Sequence, residues 1–245
     1  TLNRPEVFNA LNEQMKKELA DALRQAESHP EVRCLVLRGA GDKAFSSGQD
    51  LKENAGGEKR RSLKESLEKT YNPLIRRIRI MEKPVIAMIN GVAAGAGLSI
   101  ALACDFRLMA DHAKLIEVFV RIALVPDSGS HWFLTRLVGM ARAFEYAALG
   151  QDISASEAER VGLVNRVVPS ADLERATREV SGKFATAPTK TLGLIKRTLN
   201  KALSSDLDSL LEYEAYIQEI ASHTEDHREG VQAFLEKRPA VFKGR

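Results

Sequence analysis

The sequence predicts an α/β core followed by a C-terminal helical region, and three observations carry that reading. Short aliphatic and β-branched runs recur at 32–38, Pro84–Ile89, Phe106–Ala110 and Leu163–Val168. The stretches between them have helical character, which implies βαβ units and a largely parallel sheet. After about residue 170 the pattern becomes helical throughout, from Asp172 to Lys237, broken only at Ala187-Pro188 and Ser204-Ser205-Asp206.

In chain order, Asn9–Ala26 sets Leu11, Met15, Leu19 and Leu23 four apart, the stripe of an amphipathic helix. The run VRCLVLR then reads as a buried strand, closed by the turn Gly39-Ala40-Gly41-Asp42. Residues 52–70, KENAGGEKRRSLKESLEKT, are the most polar stretch. They read as a solvated helix after a mobile loop, with cations able to touch a ligand phosphate. Leu98–Ala103 is an apolar helix, Ser130–Val138 another helix, and Ser154-Ala155-Ser156-Glu157 has the spacing of a capping box. Residues 1–170 form the α/β core and 171–245 the helical region, within one continuous domain.

The 245 residues are 44% hydrophobic and 28% charged, enough to bury one sizeable core. Net charge is +3, the sequence pI is about 8.8, and Lys and Arg form no block. Nucleic acid is therefore not required, no DNA partner is expected, and an anionic small molecule suits. Cys34 and Cys104 lie in apolar runs without disulfide or metal spacing, as buried thiols in a reducing compartment do. The histidines (His29, His112, His131, His223, His227) have no metal-ligand spacing, and no Ser-His-Asp constellation is suggested. No apolar run approaches the roughly 20 residues of a membrane span, and no signal peptide is visible. The expected location is cytoplasmic, with no membrane.

Two glycine segments stand out. Ala44-Phe45-Ser46-Ser47-Gly48-Gln49-Asp50-Leu51 follows the first strand and is small up to Gly48, allowing close backbone approach to a ligand. Asn90-Gly91-Val92-Ala93-Ala94-Gly95-Ala96-Gly97-Leu98-Ser99 runs from a strand straight into an apolar helix, whose first N–H groups face whatever lies above. The G-x-G-x-x-G spacing fails at Ile100 and no P-loop ending is present. Taken singly, either segment reads equally well as tight helix–strand packing.

Together, and with their surroundings, the segments make the chain resemble the crotonase (enoyl-CoA hydratase/isomerase) superfamily. The resemblance rests on Leu2-Asn3-Arg4-Pro5, Asn9-Ala10-Leu11, AFSSGQDLKE, KPVIAMINGVAAGAGLSIALACDFRLMA, VPDSGSHWFLTRLVG, ISASEAERVGLVNRVVP and Phe234–Pro239 with Phe242. It implies a ClpP-like ββα spiral core, a C-terminal helical trimerisation region, and a homotrimer or dimer of trimers. It implies an acyl-CoA substrate and no separate cofactor, coenzyme A being part of the substrate. The thioester oxygen would lie between the backbone N–H groups of Gln49 and Ala96, which stabilise an enolate without reorganising. Ser46, Ser47, Gly48 and Gly95 would border the substrate, with Arg4 and Lys52 near its phosphates and Phe119 and Trp132 near its acyl group.

The family's hydratases use two glutamates, and Ser99 and Phe119 stand at those positions here. Adding water asks for one group to activate it and another to handle the α-proton, so their absence argues against hydration. Asp127, just before the helix at Ser130, reads locally as an N-cap. The resemblance implies instead that it is the catalytic base, since members with Asp there include isomerases of CoA thioesters, one acting on the ring epoxide of phenylacetyl-CoA among them. One carboxylate suffices to move a proton between two carbons, and Phe119, Ile122 and Trp132 would exclude water and raise its pKa. The expected activity is an acyl-CoA isomerase of fatty-acid or phenylacetate breakdown. The alternatives are an enoyl-CoA hydratase, or a non-catalytic acyl-CoA-binding or RNA-binding relative.

Overall fold

The computed structural model describes residues 1–55 and 62–245. Helix α1 (Glu13–Ser28) is capped by Asn12, whose side chain accepts the Met15 amide. The predicted start at Asn9 lies too early because Phe8 and Asn9 hold φ of 53° and 54°, outside any right-handed helix. The Asn9 side chain donates instead to the carbonyls of Ala40 (3.0 Å) and Ala44 (2.8 Å), tying the N-terminal turn to the core. Leu11 thus leaves the helix stripe and bridges to Gln49, while Met15, Leu19 and Leu23 form the buried face of α1.

Strand–strand–helix units follow. They begin with β1 (Leu35–Arg38), β2 (Ala44–Ser46), α2 (Leu51–Ala55), α3 (Leu63–Ser66), a π-helical turn (Leu67–Tyr71) and α4 (Asn72–Ile80). Next come β3 (Val85–Ile89), β4 (Val92–Ala94) and α5 (Ala96–Ala103), then β5 (Phe106–Ala110), β6 (Lys114–Ile116) and α6 (Ser130–Leu149). The chain continues through β7 (Asp152–Ser154), α7 (Ala155–Arg160) and β8 (Arg166–Val168) to α8 (Leu173–Thr186), α9 (Thr189–Ala202), α10 (Leu207–Ser222) and α11 (Glu225–Leu235). Of the polar stretch 52–70, residues 56–61 lie outside the described residues.

Strands β1, β3, β5 and β8 form an all-parallel sheet, in that order. The others, three residues each, form a second sheet, β2-β4-β6-β7, parallel except for its last pair. Sequence periodicity led to one sheet only, since strands as short as those of the second sheet show no alternation. Central β3 is buried on both faces, as a covered parallel strand must be, and α5 is buried all round. Between β3 and β4 the chain turns at Gly91, where a Cβ would lie 2.3 Å from the Lys43 carbonyl group, so only glycine fits.

Helix α6 outruns its predicted end at Val138, continuing past a break at Gly139 (φ 75°) to Leu149. The predicted helix start is present, with the Ser154 hydroxyl accepting the Glu157 amide at 3.2 Å, while the Glu157 carboxylate accepts from Arg160 and Tyr146. The C-terminal helices are not detached: α8 packs on β3 and β5, and α9 packs on α4. Buried Lys196 of α9 donates to Asp105 (2.7 Å) and to the Ile78 carbonyl (2.6 Å), while Asp105 also accepts the Val85 amide. Cys104 is buried and Cys34 partly so; desolvation pushes both thiols up to about 12, which keeps them unreactive. Among the described residues no helix is long and apolar enough to cross a membrane, and no His/Cys/Asp/Glu group could hold a metal ion.

Candidate active site

Sheet register brings the two glycine segments together. Strand β2 pairs with β4, Ala44 opposite Val92 and Ser46 opposite Ala93, so the turns leaving these strands lie side by side. Gly48 is buried at φ +90°, and a Cβ there would stand 2.8 Å from the Ala94 oxygen and 3.2 Å from the Ala96 nitrogen. A Cβ on Gly97 would lie 2.5 Å from the Ser46 oxygen. Both approaches require glycine.

The main-chain donors around this junction divide cleanly. Leu11 N–H donates to the Gly48 oxygen (2.7 Å) and Asp50 N–H to the Leu11 oxygen (3.1 Å), so the Gln49 N–H between them faces away and has no protein acceptor among the described residues. Ala96 opens α5, whose first internal bond runs from Ser99 N–H to the Gly95 oxygen at 3.0 Å. Its own N–H is likewise without an acceptor among the described residues, at the positive end of the helix dipole.

The side chains of the first segment are spent on holding it. Ser46 is fully buried, its hydroxyl donating to the Asn9 carbonyl (2.9 Å) and accepting the Gly48 amide (3.2 Å). Ser47 donates its amide to the Phe8 carbonyl and its hydroxyl to the Val7 carbonyl. Asp50 accepts from Arg4 (2.7 Å) and from the Lys52 amide (3.1 Å), and the Arg4 bond holds its carboxyl below the usual range. Arg4 also donates to the Ala10 carbonyl, so its guanidinium is engaged inside the protein, whereas Lys52 is exposed.

Asp127 lies on the loop before α6, partly buried, its carboxylate accepting the Ser128 hydroxyl at 2.8 Å. Its carbonyl accepts the Ser130 amide (2.9 Å) and the hydroxyl of buried Ser99 (3.1 Å). The cap position of α6 is Gly129, with no side-chain cap, so the locally predicted N-cap is not what Asp127 does. Ser128 holds a left-handed φ of 52°, a strained conformation of the kind that gathers at functional sites. Burial pushes the Asp127 pKa upward, opposed by the Ser128 bond and by His131.

Phe119 is buried over the Gly95 turn (φ +53°), where a Cβ would meet its ring at 3.8 Å. Trp132 packs edge-on against Phe133 (5.1 Å) beneath the Arg136 guanidinium (4.2 Å). A cleft of about 530 Å³ opens there, lined by Asn72, Ile75, Arg79, Gly129, Trp132 and Phe133. Of the three side chains expected to exclude water, Phe119 is buried, whereas Ile122 and Trp132 are 48% and 37% exposed.

Glu117 stands against the first turn of α6. It is fully buried, accepts the Ser130 hydroxyl through Oε1, and its Oε2 has no partner. Burial, with Asp127 adding to it, pushes its pKa up to about 7. The folded protein therefore binds a proton that the unfolded chain releases between about pH 4.5 and 7. Stability falls as pH rises across that window, by roughly 3 kcal/mol at about 1.4 per unit. In Glu117→Gln this fall is expected to vanish, read as urea midpoints at pH 5 and 8.

Comparison with known proteins adds the family. The family model for enoyl-CoA hydratase/isomerase matches residues 1–245. The chain is 42% identical to the 1,2-epoxyphenylacetyl-CoA isomerase of Escherichia coli, across all of this chain and 94% of that protein. It is 44% identical to a probable enoyl-CoA hydratase of Rhodobacter capsulatus, across all of this chain and 93% of that one. The crystal structure of an enoyl-CoA hydratase from Bacillus anthracis superposes with a TM-score of 0.92 at 36% identity, covering 99% of this chain and 93% of that one. The chain belongs to the enoyl-CoA hydratase/isomerase family and has the crotonase fold. Its activity lies within what that family name spans.

Proposed function

We propose that this chain is an acyl-CoA isomerase that works through an enolate held by the N–H groups of Gln49 and Ala96, with Asp127 as its base. The carrying observation is the identity and setting of the acid: by the family resemblance Ser99 and Phe119 stand where the hydratase glutamates would, and Asp127 is partly buried within hydrogen-bond reach of Ser99. Ser99 donates to the Asp127 carbonyl, so the residue replacing a glutamate holds the loop of the remaining carboxylate. Asp127 takes the proton from one carbon of the acyl group and returns it to another, moving a double bond or opening a ring epoxide. The raised pKa strengthens it as a base, and the two N–H donors take up the charge that develops on the thioester oxygen. In this reading exposed Lys52 meets the CoA phosphates, while Arg4 braces the loop through Asp50.

A homotrimer or dimer of trimers is part of this reading. Met140, Phe144 and Leu149 of α6 and Phe234 and Leu235 of α11 are large, apolar and exposed, which a lone chain in water leaves uncovered at a cost.

Paired assays test the reaction. With a 3-enoyl-CoA, the wild type is expected to generate the conjugated 2-enoyl thioester; with crotonyl-CoA, loss of enone absorbance is expected to be at least ~10-fold slower in kcat/KM, about 1.4 kcal/mol of barrier. Hydration as fast as isomerisation contradicts the proposal, and turnover of neither substrate favours a non-catalytic binder.

A further inference from the structure

A backbone donor works whatever side chain its residue carries, yet the side chain of Gln49 is gripped. Its Oε1 accepts the Tyr71 hydroxyl at 2.6 Å and the Lys16 ammonium at 3.3 Å, and its Nε2 donates to the Asp50 carbonyl at 3.2 Å. Lys16 is 2% exposed, pairs with Glu13, and lies 5.0 Å from the centre of the Tyr71 ring. Both donors are therefore locked before they reach Gln49.

Tyr71 owes its position to a local departure from α geometry. The stretch Leu67–Tyr71 is π-helical, and the Thr70 hydroxyl takes the Ser66 carbonyl at 2.6 Å. Such turns occur often at functional sites, because the extra residue re-aims a side chain without breaking the helix. Here the turn leaves α3 exposed, buries Leu74, Ile75 and Ile78 of α4, and points the Tyr71 hydroxyl at the glycine segment. Tyr71 is 3% exposed. Burial and then the charges of Asp127, Glu13 and Glu53 hold its hydroxyl protonated, so it stays a donor.

We propose that Tyr71 is a positioning residue of the reaction, fixing the direction of the Gln49 N–H by clamping the Gln49 side chain from the π-helical turn. The inference rests on the assignment of Gln49 as an oxyanion donor. The Gly48 carbonyl, in the same peptide unit as that donor, accepts the Leu11 amide at 2.7 Å, and the Tyr71 clamp adds a side-chain restraint to this main-chain one. Asp50 is fixed on the far side by Arg4, and without Tyr71 the Gln49 side chain keeps, among the described residues, the longer Lys16 bond and its bond to the Asp50 carbonyl. A donor held less closely is less preorganised, and the loss falls on the transition state rather than on binding.

Tyr71→Phe, Gln49→Ala and the double variant test this, with kcat and KM measured separately on a 3-enoyl-CoA. A second readout is the red shift of bound cinnamoyl-CoA, whose conjugated absorption reports polarisation of the thioester carbonyl. Tyr71→Phe is expected to lower kcat about 10-fold with KM changed less than about 3-fold, and to shrink the red shift. In the Gln49→Ala background, where the backbone donor remains but its handle is gone, the same change is expected to have no further effect. An unchanged kcat and red shift, or an equal loss in both backgrounds, overturns the clamp. A wild type that binds cinnamoyl-CoA with no red shift defeats the oxyanion assignment itself and the clamp with it.

Discussion

Asp127→Asn is expected to lower kcat for double-bond isomerisation by about 10²–10⁴-fold while leaving the protein folded. The amide keeps the shape of the carboxylate but cannot take a proton. Folding is expected to survive because the carboxylate caps no helix and the loop is held by main-chain bonds, from Ser130 N–H and from the Ser99 hydroxyl to the Asp127 carbonyl. The Ser128 hydroxyl can still donate to the remaining side-chain oxygen. The base works ionised and its pKa is raised, so wild-type activity is lost as pH falls through a value above the usual carboxylate range. His131 opposes that rise, hence His131→Ala is expected to move the acid limb to higher pH. Rates of both variants across pH 4–9, with melting curves alongside, check each part.

Gly48→Ala attacks the other half of the site and is expected to cost about 10²–10³-fold in kcat/KM, the loss typical of one oxyanion donor. A left-handed residue with a side chain is strained by roughly 1–2 kcal/mol. The larger effect is positional, since the new methyl would lie 2.8 Å from the Ala94 oxygen and 3.2 Å from the Ala96 nitrogen. Relieving that contact separates the N–H groups of Gln49 and Ala96, which the proposed mechanism needs on one oxygen. Kinetics and thermal midpoints of this variant separate the two contributions: simple strain lowers the midpoint, whereas displaced donors lower kcat in protein that is still folded.

What the sequence showed, and what it hid, follows from how locally each feature is encoded. The longer parallel strands, the helix cap at Ser154 and the apolar α5 were legible because each is written in consecutive residues. The glycine segments were legible as segments, but that they meet depends on the pairing of β2 with β4, strands too short to leave a periodic signal. Asn9 looked like the start of a helix, and only the folded chain gives it the carbonyls of Ala40 and Ala44 to hold. Tyr71 carried no mark at all, because it ends a polar stretch and gains its partner through a π-helical turn. The full burial and unpartnered oxygen of Glu117 come from α6 packing against it through Ser130, a contact between residues 13 apart in sequence.

Oxygen labelling of the product tests the central claim, a single carboxylate moving a proton, most directly. Wild-type protein is incubated with 3-hexenoyl-CoA in water enriched in oxygen-18, and the acyl products are read by mass spectrometry at early times. The account predicts 2-hexenoyl-CoA of unchanged oxygen content as the main product, formed by the wild type and not by Asp127→Asn. A labelled 3-hydroxyhexanoyl-CoA accumulating as fast as the isomer, or unlabelled isomer formed equally by Asp127→Asn, would contradict it.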